Sequence, residues 1–185
     1  CPGSTVVYDL RSSRVVAEEI KKAGGQPRRE RSGHAYIKKA LADARAVFGG
    51  EFSGHYYFRD NWYCDSALIA FAKILNLITQ AGKPLGELIA PLKRYFGSGE
   101  RSFHCDDPRA IIDRVAKQYR DARTDYLDGI TVQYDDWWFN VRPSITEPYL
   151  RLTVEATDAR LLATKIQEVS PLLGPPAGRH ADEDS

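Results

Sequence analysis

The apolar positions in the first half of the chain alternate between short strand-like runs and repeats with helical spacing. Thr5–Leu10 is rich in β-branched residues and predicts a buried strand, and Ser13 is placed to cap the helix that follows it. Alternation of strand and helix is typical of an α/β layer with a mostly parallel sheet. The predicted elements are a strand over 5–10, a helix over 14–23, a strand over 27–31, a helix through Ile37, Leu41, Ala44 and Phe48, a strand over 56–58, a helix from about Asp65 and a helix over 85–94.

The second half of the chain shows the alternation that is typical of antiparallel strands. Residues 130–134 alternate between apolar and polar side chains, and the turn-forming pair Asp135-Asp136 separates them from another apolar run, which predicts a hairpin. We expect its aromatic residues, Tyr134, Trp137, Trp138 and Phe139, to pack in a core rather than to form a sugar-stacking platform. The other predicted elements are a helix after Asp107-Pro108, a strand over 150–154 and a closing helix over 158–173.

These two patterns predict two domains. The first is a mixed, mostly parallel α/β sheet domain, and the second is a smaller α+β domain with an antiparallel sheet and two helices. We place the boundary between Lys93 and Gly97, which gives domains over 1–94 and 95–173. Residues 174–185 are rich in proline, glycine and acidic side chains, and we expect them to form a flexible tail.

The nearly balanced charge of the chain argues against nucleic acid and anionic membranes as partners. The 185 residues include 26 basic and 25 acidic side chains, and the formal net charge of +1 provides no field that would draw nucleic acid or an anionic membrane. No apolar run approaches the roughly 18–20 residues of a membrane span, and no signal peptide is visible. We therefore expect small molecules or proteins as partners, without nucleic acid or membrane, and a cytoplasmic location.

The cysteines and histidines predict neither a disulfide framework nor a metal site. The three cysteines are far apart and odd in number, which favours reduced thiols. The four histidines show no ligand spacing along the sequence. A metal site at His104-Cys105-Asp106 would need a second Cys or His pair nearby, and none is present. We expect no metal ligands in this chain.

A glycine-rich segment, Gly49–His55, places a carboxylate, a hydroxyl and an imidazole on alternate residues. A carboxylate accepts several hydrogen bonds and can bridge two neighbouring hydroxyls of a sugar ring, so Glu51 is predicted to anchor a polyol, with Ser53 and His55 beside it. Flanking glycines let the backbone come close to a ligand. Taken alone, the segment also fits an ordinary surface turn.

A proline-flanked segment, Arg142–Pro148, places an arginine and two hydroxyls close together. The planar guanidinium of Arg142 matches the oxygens of a phosphate, and charge-assisted hydrogen bonds of this kind contribute about 1.5–3 kcal/mol each. Ser144 and Thr146 add shorter donors. The segment predicts a phosphate-binding loop, although a plain connector would have a similar composition.

Together with a third segment, these loops resemble those of the α-D-phosphohexomutases, and most closely the phosphomannomutase/phosphoglucomutase branch. The matching segments, in family order, are Gly33-His34-x-x-Ile37-Lys38, Gly50-Glu51-Phe52-Ser53-Gly54-His55 and Arg142-Pro143-Ser144-x-Thr146-Glu147-Pro148. The resemblance runs from about Val6 to Val169. One position departs from it, because many relatives have Asn where this chain has Ile145, and isoleucine offers no donor to a phosphate.

The resemblance implies an enzyme of four domains around a cleft, of which this chain matches the third and fourth. The family's phosphorylated serine and its Asp-x-Asp-x-Asp loop, which holds Mg²⁺, belong to the first two domains, and neither motif occurs here. The chain contains no methionine and begins at Cys1, so we expect a fragment that is inactive by itself. Its expected partners are the phosphosugar and the missing N-terminal half.

The implied reaction interconverts hexose 1-phosphate and hexose 6-phosphate, with mannose or glucose as the hexose and hexose 1,6-bisphosphate as intermediate and activator. By resemblance, Glu51 and Arg142 border one cleft and hold opposite ends of the sugar. An ordinary solvated arginine remains the alternative for Arg11. The implied site residues are His34 for proton transfer, then Arg11, Lys38, Glu51, Ser53 and His55 for the substrate, and Arg142, Ser144, Thr146 and Arg151 for the phosphate.

Two alternatives stay open at this point. Phosphoglucosamine mutase shares the overall plan, although Phe52 and the stretch 56–60 look more like the mannose/glucose branch. A non-catalytic module that binds a phosphosugar or a protein partner would retain the same two loops.

Overall fold

The computed structural model describes residues 2–144 and 146–177, and the chain divides between Arg94 and Tyr95 into two compact units. The first unit contains β1 (Thr5–Asp9), α1 (Arg14–Lys22), β2 (Gln26–Glu30), α2 (His34–Asp43), β3 (Phe48–Gly50), β4 (Tyr56–Phe58), β5 (Cys64–Asp65), α3 (Ala67–Ala81) and α4 (Leu85–Ile89). The second contains β6 (Phe96–His104), α5 (Pro108–Gln118), β7 (Arg123–Asp125), β8 (Ile130–Gln133), β9 (Trp137–Pro143), β10 (Tyr149–Ala156) and α6 (Ala159–Val169).

The sheet of the first unit has five strands in the order β2-β1-β3-β4-β5. The strands β2, β1 and β3 run parallel, whereas β4 and β5 form antiparallel pairs at the other side of the sheet. Helix α2 packs on the sheet through a buried cluster that comprises Val7, Ile37, Ala40, Leu41, Ala46 and Tyr57. This arrangement confirms the predicted mixed α/β domain. Helix α1 follows the predicted cap, since Ser13 Oγ accepts a hydrogen bond from the Val15 N–H.

The prediction that the second helix reaches Phe48 was wrong, because Phe48 begins strand β3. Helix α2 ends at Asp43 in a Schellman motif, in which the N–H groups of Ala46 and Arg45 donate to the carbonyls of Leu41 and Ala42. Arg45 occupies the left-handed position of this motif with φ of 47°. Glycine is the usual residue there, so the sequence carried no visible stop signal.

The sheet of the second unit is antiparallel, with the order β6-β10-β9-β8-β7. Helices α5 and α6 pack on one face of it, as predicted for an α+β domain with two helices. The buried core comprises Phe103, Cys105, Val115, Tyr119, Ile130, Val132, Trp137, Phe139, Val141, Leu150, Leu152, Val154, Ala156, Val169 and Leu173. The hairpin of β8 and β9 is confirmed, and its aromatic residues pack as predicted: Trp137, Trp138 and Phe139 are buried, and Tyr134 stacks on Trp137.

Strands β6 and β7 were not predicted, and both form edges of the second sheet. Strand β6 lacks an apolar run, and most of its side chains are at least partly exposed. Its pairing with β10 contains an irregularity between Thr153 and Glu155, where the Val154 N–H donates to Ser98 Oγ. An edge strand with a bulge does not need the apolar alternation that reveals a central strand in a sequence.

Part of the expected tail is ordered against β6. The N–H of His104 donates to the Pro175 carbonyl, and the N–H of Ala177 donates to the Ser102 carbonyl. Residues 178–185 of that tail, together with Cys1 and Ile145, lie outside the described residues. Over the ranges 2–144 and 146–177, no helix combines the length and the apolar character that a membrane span requires.

Candidate functional site

Most of the sequence-predicted residues of the first unit leave the sheet at one edge. Strands β1, β2 and β3 are parallel, so their carboxyl ends meet there, and β5 runs in the same direction because it is antiparallel to β4. Arg11 and Glu51 lie in the loops after β1 and β3, His34 begins α2 after the loop that follows β2, and Asp65 is the last residue of β5. Ligands of open α/β sheets bind outside the carboxyl ends of the strands.

Glu51 follows β3 directly and is 7% exposed. Its Oε2 accepts a hydrogen bond from the Gly33 N–H at 2.9 Å, and its Oε1 accepts one from the Tyr57 hydroxyl at 2.5 Å. Burial raises the pKa of the Tyr57 phenol, and the hydrogen bond to Glu51 raises it further. Each carboxylate oxygen can accept a further hydrogen bond, so the two internal donors fix the orientation of Glu51 and leave capacity for a ligand.

The loop after Glu51 is closed by its own backbone. The N–H of Glu51 donates to the His55 carbonyl, and the N–H of Gly54, which has φ of +86°, donates to the Glu51 carbonyl. Ser53 Oγ lies 3.0 Å from His55 Nδ1, so the predicted Ser53 and His55 are in contact with each other. Phe52, which precedes Ser53 in the loop, is 57% exposed.

The two histidines of the first unit lie side by side although they are far apart in sequence. The ring centroids of His34 and His55 are 4.7 Å apart, and His34 Nδ1 lies 3.6 Å from Asp65 Oδ1. His34 is the first residue of α2, and Lys38 follows it one turn later. The ammonium of Lys38 donates to Cys64 Sγ at 3.4 Å. Cys64 directly precedes Asp65 in the sequence, so this contact brings Lys38 close to Asp65.

Arg11 connects the end of β1 to the Glu51 loop. Its Nε donates to the fully buried Asp9 at 2.9 Å, and its guanidinium carbon lies 5.6 Å from the centre of the Phe52 ring. Asp9 also accepts hydrogen bonds from the hydroxyls of Ser12 and Ser32. Arg11 is therefore held by a buried carboxylate rather than extended into solvent.

In the second unit, the predicted phosphate loop joins β9 to β10. The N–H of Ser144 donates to the Tyr149 carbonyl, and the N–H of Tyr149 donates to the Glu147 carbonyl, which closes the turn. The register of the two strands places Arg142 directly opposite Arg151. Both guanidinium groups therefore lie at the same position of the sheet, one on each side of the loop.

Two carboxylates hold these arginines. Arg142 Nη2 donates to Glu100 Oε2 at 2.5 Å, and Arg151 Nη2 donates to Glu147 Oε2 at 2.8 Å. Arg151 also donates to Ser102 Oγ, and its Nη1 lies 3.8 Å from Glu100 Oε1. The side chains of Arg142 and Glu100 are 13% and 17% exposed, so this charge cluster is mostly shielded from water.

Sequence reasoning missed several residues that position the predicted ones, namely Asp9, Tyr57, Asp65 and Glu100. An acidic residue at the end of a buried strand is a usable signal for Asp9, since such positions face the ligand edge of a parallel sheet. Glu100 gave no comparable signal, because strand β6 itself was not predicted. Glu51 and Arg142 lie in different units, and their common cleft stays a prediction.

Both units of the chain match models of known protein families. A model described as "Phosphoglucomutase/phosphomannomutase, alpha/beta/alpha domain III" matches residues 1–95. A second model, described as "Phosphoglucomutase/phosphomannomutase, C-terminal domain", matches residues 103–171.

Curated relatives give the same result. A protein of Xanthomonas campestris pv. campestris strain B100 named "Phosphohexose mutases" is 44% identical over 176 residues, which are 93% of this chain and 39% of the relative. A phosphomannomutase of Methanocaldococcus jannaschii is 39% identical over 168 residues, which are 91% of this chain and 37% of the relative. The chain thus spans less than half the length of these relatives.

Solved structures share the fold. A phosphoglucomutase/phosphomannomutase family protein from Burkholderia thailandensis superposes with a TM-score of 0.80 at 27% identity, covering 95% of this chain and 40% of that one. An N-acetylphosphoglucosamine mutase from Aspergillus fumigatus, in complex with glucose 1,6-bisphosphate, superposes with a TM-score of 0.65 at 13% identity, covering 92% of this chain and 38% of that one. The second likeness shows the fold alone.

Proposed function

The chain belongs to the phosphoglucomutase/phosphomannomutase family, and from this membership we propose that it forms the part of a hexose-phosphate mutase that binds the sugar hydroxyls and the phosphate that is not transferred. The observation that carries the proposal is the match of both family models, because one spans the Glu51 loop and the other spans the Arg142 loop. The complete protein would interconvert hexose 1-phosphate and hexose 6-phosphate through a bisphosphate.

At the sugar end, the proposal assigns Glu51 to the ring hydroxyls. Its two oxygens are oriented by the Gly33 N–H and the Tyr57 hydroxyl, so a ligand meets an acceptor that is already fixed. Preorganised groups lose little conformational entropy when they bind. Ser53 and His55 lie in the same closed loop, and Arg11 is anchored beside Phe52. His34, at the start of α2, is assigned to proton transfer.

At the phosphate end, the proposal assigns Arg142 and Arg151 to the anion. The two guanidinium groups lie opposite each other across β9 and β10, and the loop between them supplies Ser144 and Thr146. Two adjacent arginines provide several donors in planar forks that match phosphate oxygens. Ile145, the one position of this loop that departs from the family pattern, lies outside the described residues.

The proposed division of labour follows from the reaction. Because the sugar must present either end to the reacting group, the phosphate clamp would grip the end that is not reacting, while Glu51 and Ser53 would bind hydroxyls common to both orientations. Such positioning can supply on the order of 7–11 kcal/mol of a barrier. The residues of this chain would therefore hold the substrate rather than exchange phosphate with it.

The family generally uses Mg²⁺, which neutralises phosphate charge when it is bound. This chain contains no Asp-x-Asp-x-Asp motif and no serine loop of the family's type, so its residues do not fit that metal site. We therefore propose that this chain alone has no mutase activity. A coupled assay with glucose 1-phosphate or mannose 1-phosphate should show no turnover, and metal-dependent turnover by this chain would contradict the proposal.

Calorimetric titration with sugar phosphates tests the binding proposal directly. We expect the chain to bind glucose 1-phosphate and mannose 1-phosphate, and Arg142→Gln to weaken that binding by about tenfold to a hundredfold, since one charge-assisted hydrogen bond contributes about 1.5–3 kcal/mol. Glu51→Gln should weaken the binding of the sugar phosphates but not of inorganic phosphate. Unchanged affinity in both folded variants would remove these residues from the site. Titration with glucosamine phosphates, compared with the other sugar phosphates, tests the alternative that the protein is a phosphoglucosamine mutase.

A further inference from the structure

The structure brings together three potential metal ligands that the sequence keeps apart. His34 begins α2, His55 ends the Glu51 loop, and Asp65 ends β5. One ligand atom from each residue lies within 4.8 Å of the other two. Because these residues come from three different segments, no spacing rule along the chain could have indicated the group.

We propose that His34, His55 and Asp65 form a binding site for a divalent transition-metal ion of the zinc class. Two imidazole nitrogens and one carboxylate are ligands that zinc prefers, and three protein ligands leave a fourth position open for water or an anion. The predominance of nitrogen ligands distinguishes this group from the all-oxygen sets that suit magnesium or calcium.

The geometry requires only a small closure around the ion. Zinc bonds of about 2.0–2.1 Å to each ligand would place tetrahedral ligand atoms roughly 3.3 Å apart. His34 Nδ1 and Asp65 Oδ1 are already 3.6 Å apart, and the side chains are 52% and 32% exposed, so neither is locked in a packed core. Ser53 Oγ contacts Nδ1 of His55, which leaves Nε2 as its coordinating nitrogen and fixes the ring.

The surrounding charges are compatible with a cation. Asp65 supplies one negative charge directly, and Glu51 lies next to His34 through its hydrogen bond to the Gly33 N–H. Lys38, one turn along α2, brings a positive charge near the group, but its ammonium donates to Cys64 Sγ.

A bound ion would prevent phosphosugar binding, a consequence that rests on the proposed function. His55 is assigned to the substrate and His34 to proton transfer, and a metal ion would hold both rings in place around itself. Zinc-class ions should thus inhibit the sugar end of the site by competition, in contrast to the Mg²⁺ on which the family generally depends.

Calorimetric titration of the chain with zinc chloride tests the site without any sugar. We expect one equivalent of zinc to bind, and His34→Ala, His55→Ala and Asp65→Asn each to weaken the affinity by at least about tenfold, because each removes a ligand. The matched control is His104→Ala, which removes a histidine of β6 in the second unit and should leave zinc affinity unchanged. Circular dichroism confirms that each variant is folded.

The visible spectrum of bound Co²⁺ gives a second readout, since a tetrahedral site with nitrogen ligands produces intense absorption that the three site variants should lose. Zinc affinity that survives the folded double variant His34→Ala/His55→Ala would overturn the proposal, as would no binding by the wild-type chain. Either result would leave the sugar-binding proposal untouched.

Adding glucose 1-phosphate to the zinc titration separates the two proposals. Competition predicts that the apparent zinc affinity falls as glucose 1-phosphate is raised, whereas inorganic phosphate at the same concentration, as control for zinc–phosphate association, has a smaller effect. Zinc binding that depends on the three ligands but is unaffected by the sugar phosphate would support the metal site and overturn the competition. It would also contradict the assignment of His55 to the substrate and of His34 to proton transfer.

Discussion

At the scale of single residues, three of the predicted binding residues, Glu51, Arg11 and Arg142, are held by side chains that the sequence did not reveal. Tyr57 and the Gly33 N–H orient Glu51, Asp9 anchors Arg11, and Glu100 contacts Arg142. The motifs identified the residues that are proposed to contact the ligands. Which residues support them is determined by which strands pair with each other in the sheets. That information lies in the register of the sheets rather than in spacing along the chain.

Tyr57 makes the stability of the first unit sensitive to alkaline pH. Because burial raises its pKa, the folded state keeps the phenolic proton above the ordinary tyrosine pKa of about 10, where the unfolded state loses it. The unfolded state then binds fewer protons, so the free energy of unfolding should fall as pH rises beyond about 10. Burial also raises the pKa values of Tyr119 and Tyr134, so these two residues add to the decline in the free energy of unfolding.

The variant Tyr57→Phe isolates that contribution. In urea unfolding, the free energy of unfolding should decline less with alkaline pH in Tyr57→Phe than in the wild type. At neutral pH the variant should lose about 1.5–3 kcal/mol of that free energy, because the charged acceptor Glu51 loses the hydrogen bond from the Tyr57 hydroxyl. Equal pH dependence in both proteins would mean that Tyr57 does not titrate abnormally.

Glu100 should oppose phosphate binding by neutralising the two arginines. It contacts Arg142 and lies 3.8 Å from Arg151, so an incoming phosphate competes with its carboxylate. We expect Glu100→Gln to tighten binding of glucose 1-phosphate by about tenfold at low salt, which corresponds to about 1.4 kcal/mol. Titration calorimetry at two salt concentrations measures the change.

The control for this prediction is Asp136→Asn, which removes the same charge at the exposed turn before β9, whereas Arg142 lies near the end of that strand. Weaker binding by Glu100→Gln would show instead that the carboxylate mainly positions Arg142.

At the scale of secondary-structure elements, the patterns predicted central elements better than edges. Apolar and polar residues alternate in β8 and β10, and β9 contains an apolar run. Helices α1, α5 and α6 follow the caps Ser13, Asp107 and Asp158, whose side chains accept hydrogen bonds from helix N–H groups. The edge strands β6 and β7 and the short strand β3 lack that alternation. The end of α2 was missed because Arg45 takes a position that glycine usually marks.

The close approach of Gly129 to β9 is a second backbone constraint. Gly129 has φ of +64°, and a Cβ there would lie 2.0 Å from the Val141 carbonyl oxygen and 2.6 Å from Arg142 Cα. We expect Gly129→Ala to destabilise the second unit by at least about 2 kcal/mol, since both the conformation and the space exclude a side chain. Urea unfolding measures this loss.

A matched control is Gly97→Ala in β6, where a Cβ would meet nothing within 4 Å and no positive φ is required. Its free energy of unfolding should stay close to that of the wild type. If Gly129→Ala were equally neutral, the backbone around Arg142 would have to be more yielding than the described packing implies.

At the scale of the whole molecule, helix α3 exposes an unusual amount of apolar surface. Leu68 is 81% exposed, Phe71 60% and Leu77 53%, and Ala70 is the buried residue of this helix. Large exposed apolar patches mark surfaces that other protein normally covers.

We expect this surface to make the chain self-associate as concentration rises. Sedimentation velocity should show association that Phe71→Glu/Leu75→Glu abolishes, because the substitutions remove apolar area and add charge. The control Asn76→Glu/Gln80→Glu adds the same charge to the same helix without removing apolar side chains and should reduce association less. A chain that stays monomeric at high concentration would contradict this expectation.

The division between the α2 core and the carboxyl edge of the first sheet has a consequence for how ligand preference can change. The buried cluster around Val7 and Leu41 holds the scaffold, whereas the side chains proposed to contact ligands lie at or just beyond the carboxyl ends of β1, β2, β3 and β5. Loop residues that take no part in the hydrogen bonds of Glu51 with Gly33 and Tyr57, or of Arg11 with Asp9, can vary with little effect on the packing behind them. Libraries that vary those residues are therefore a practical route to changing the proposed ligand preference of this edge, with the scaffold left unaltered.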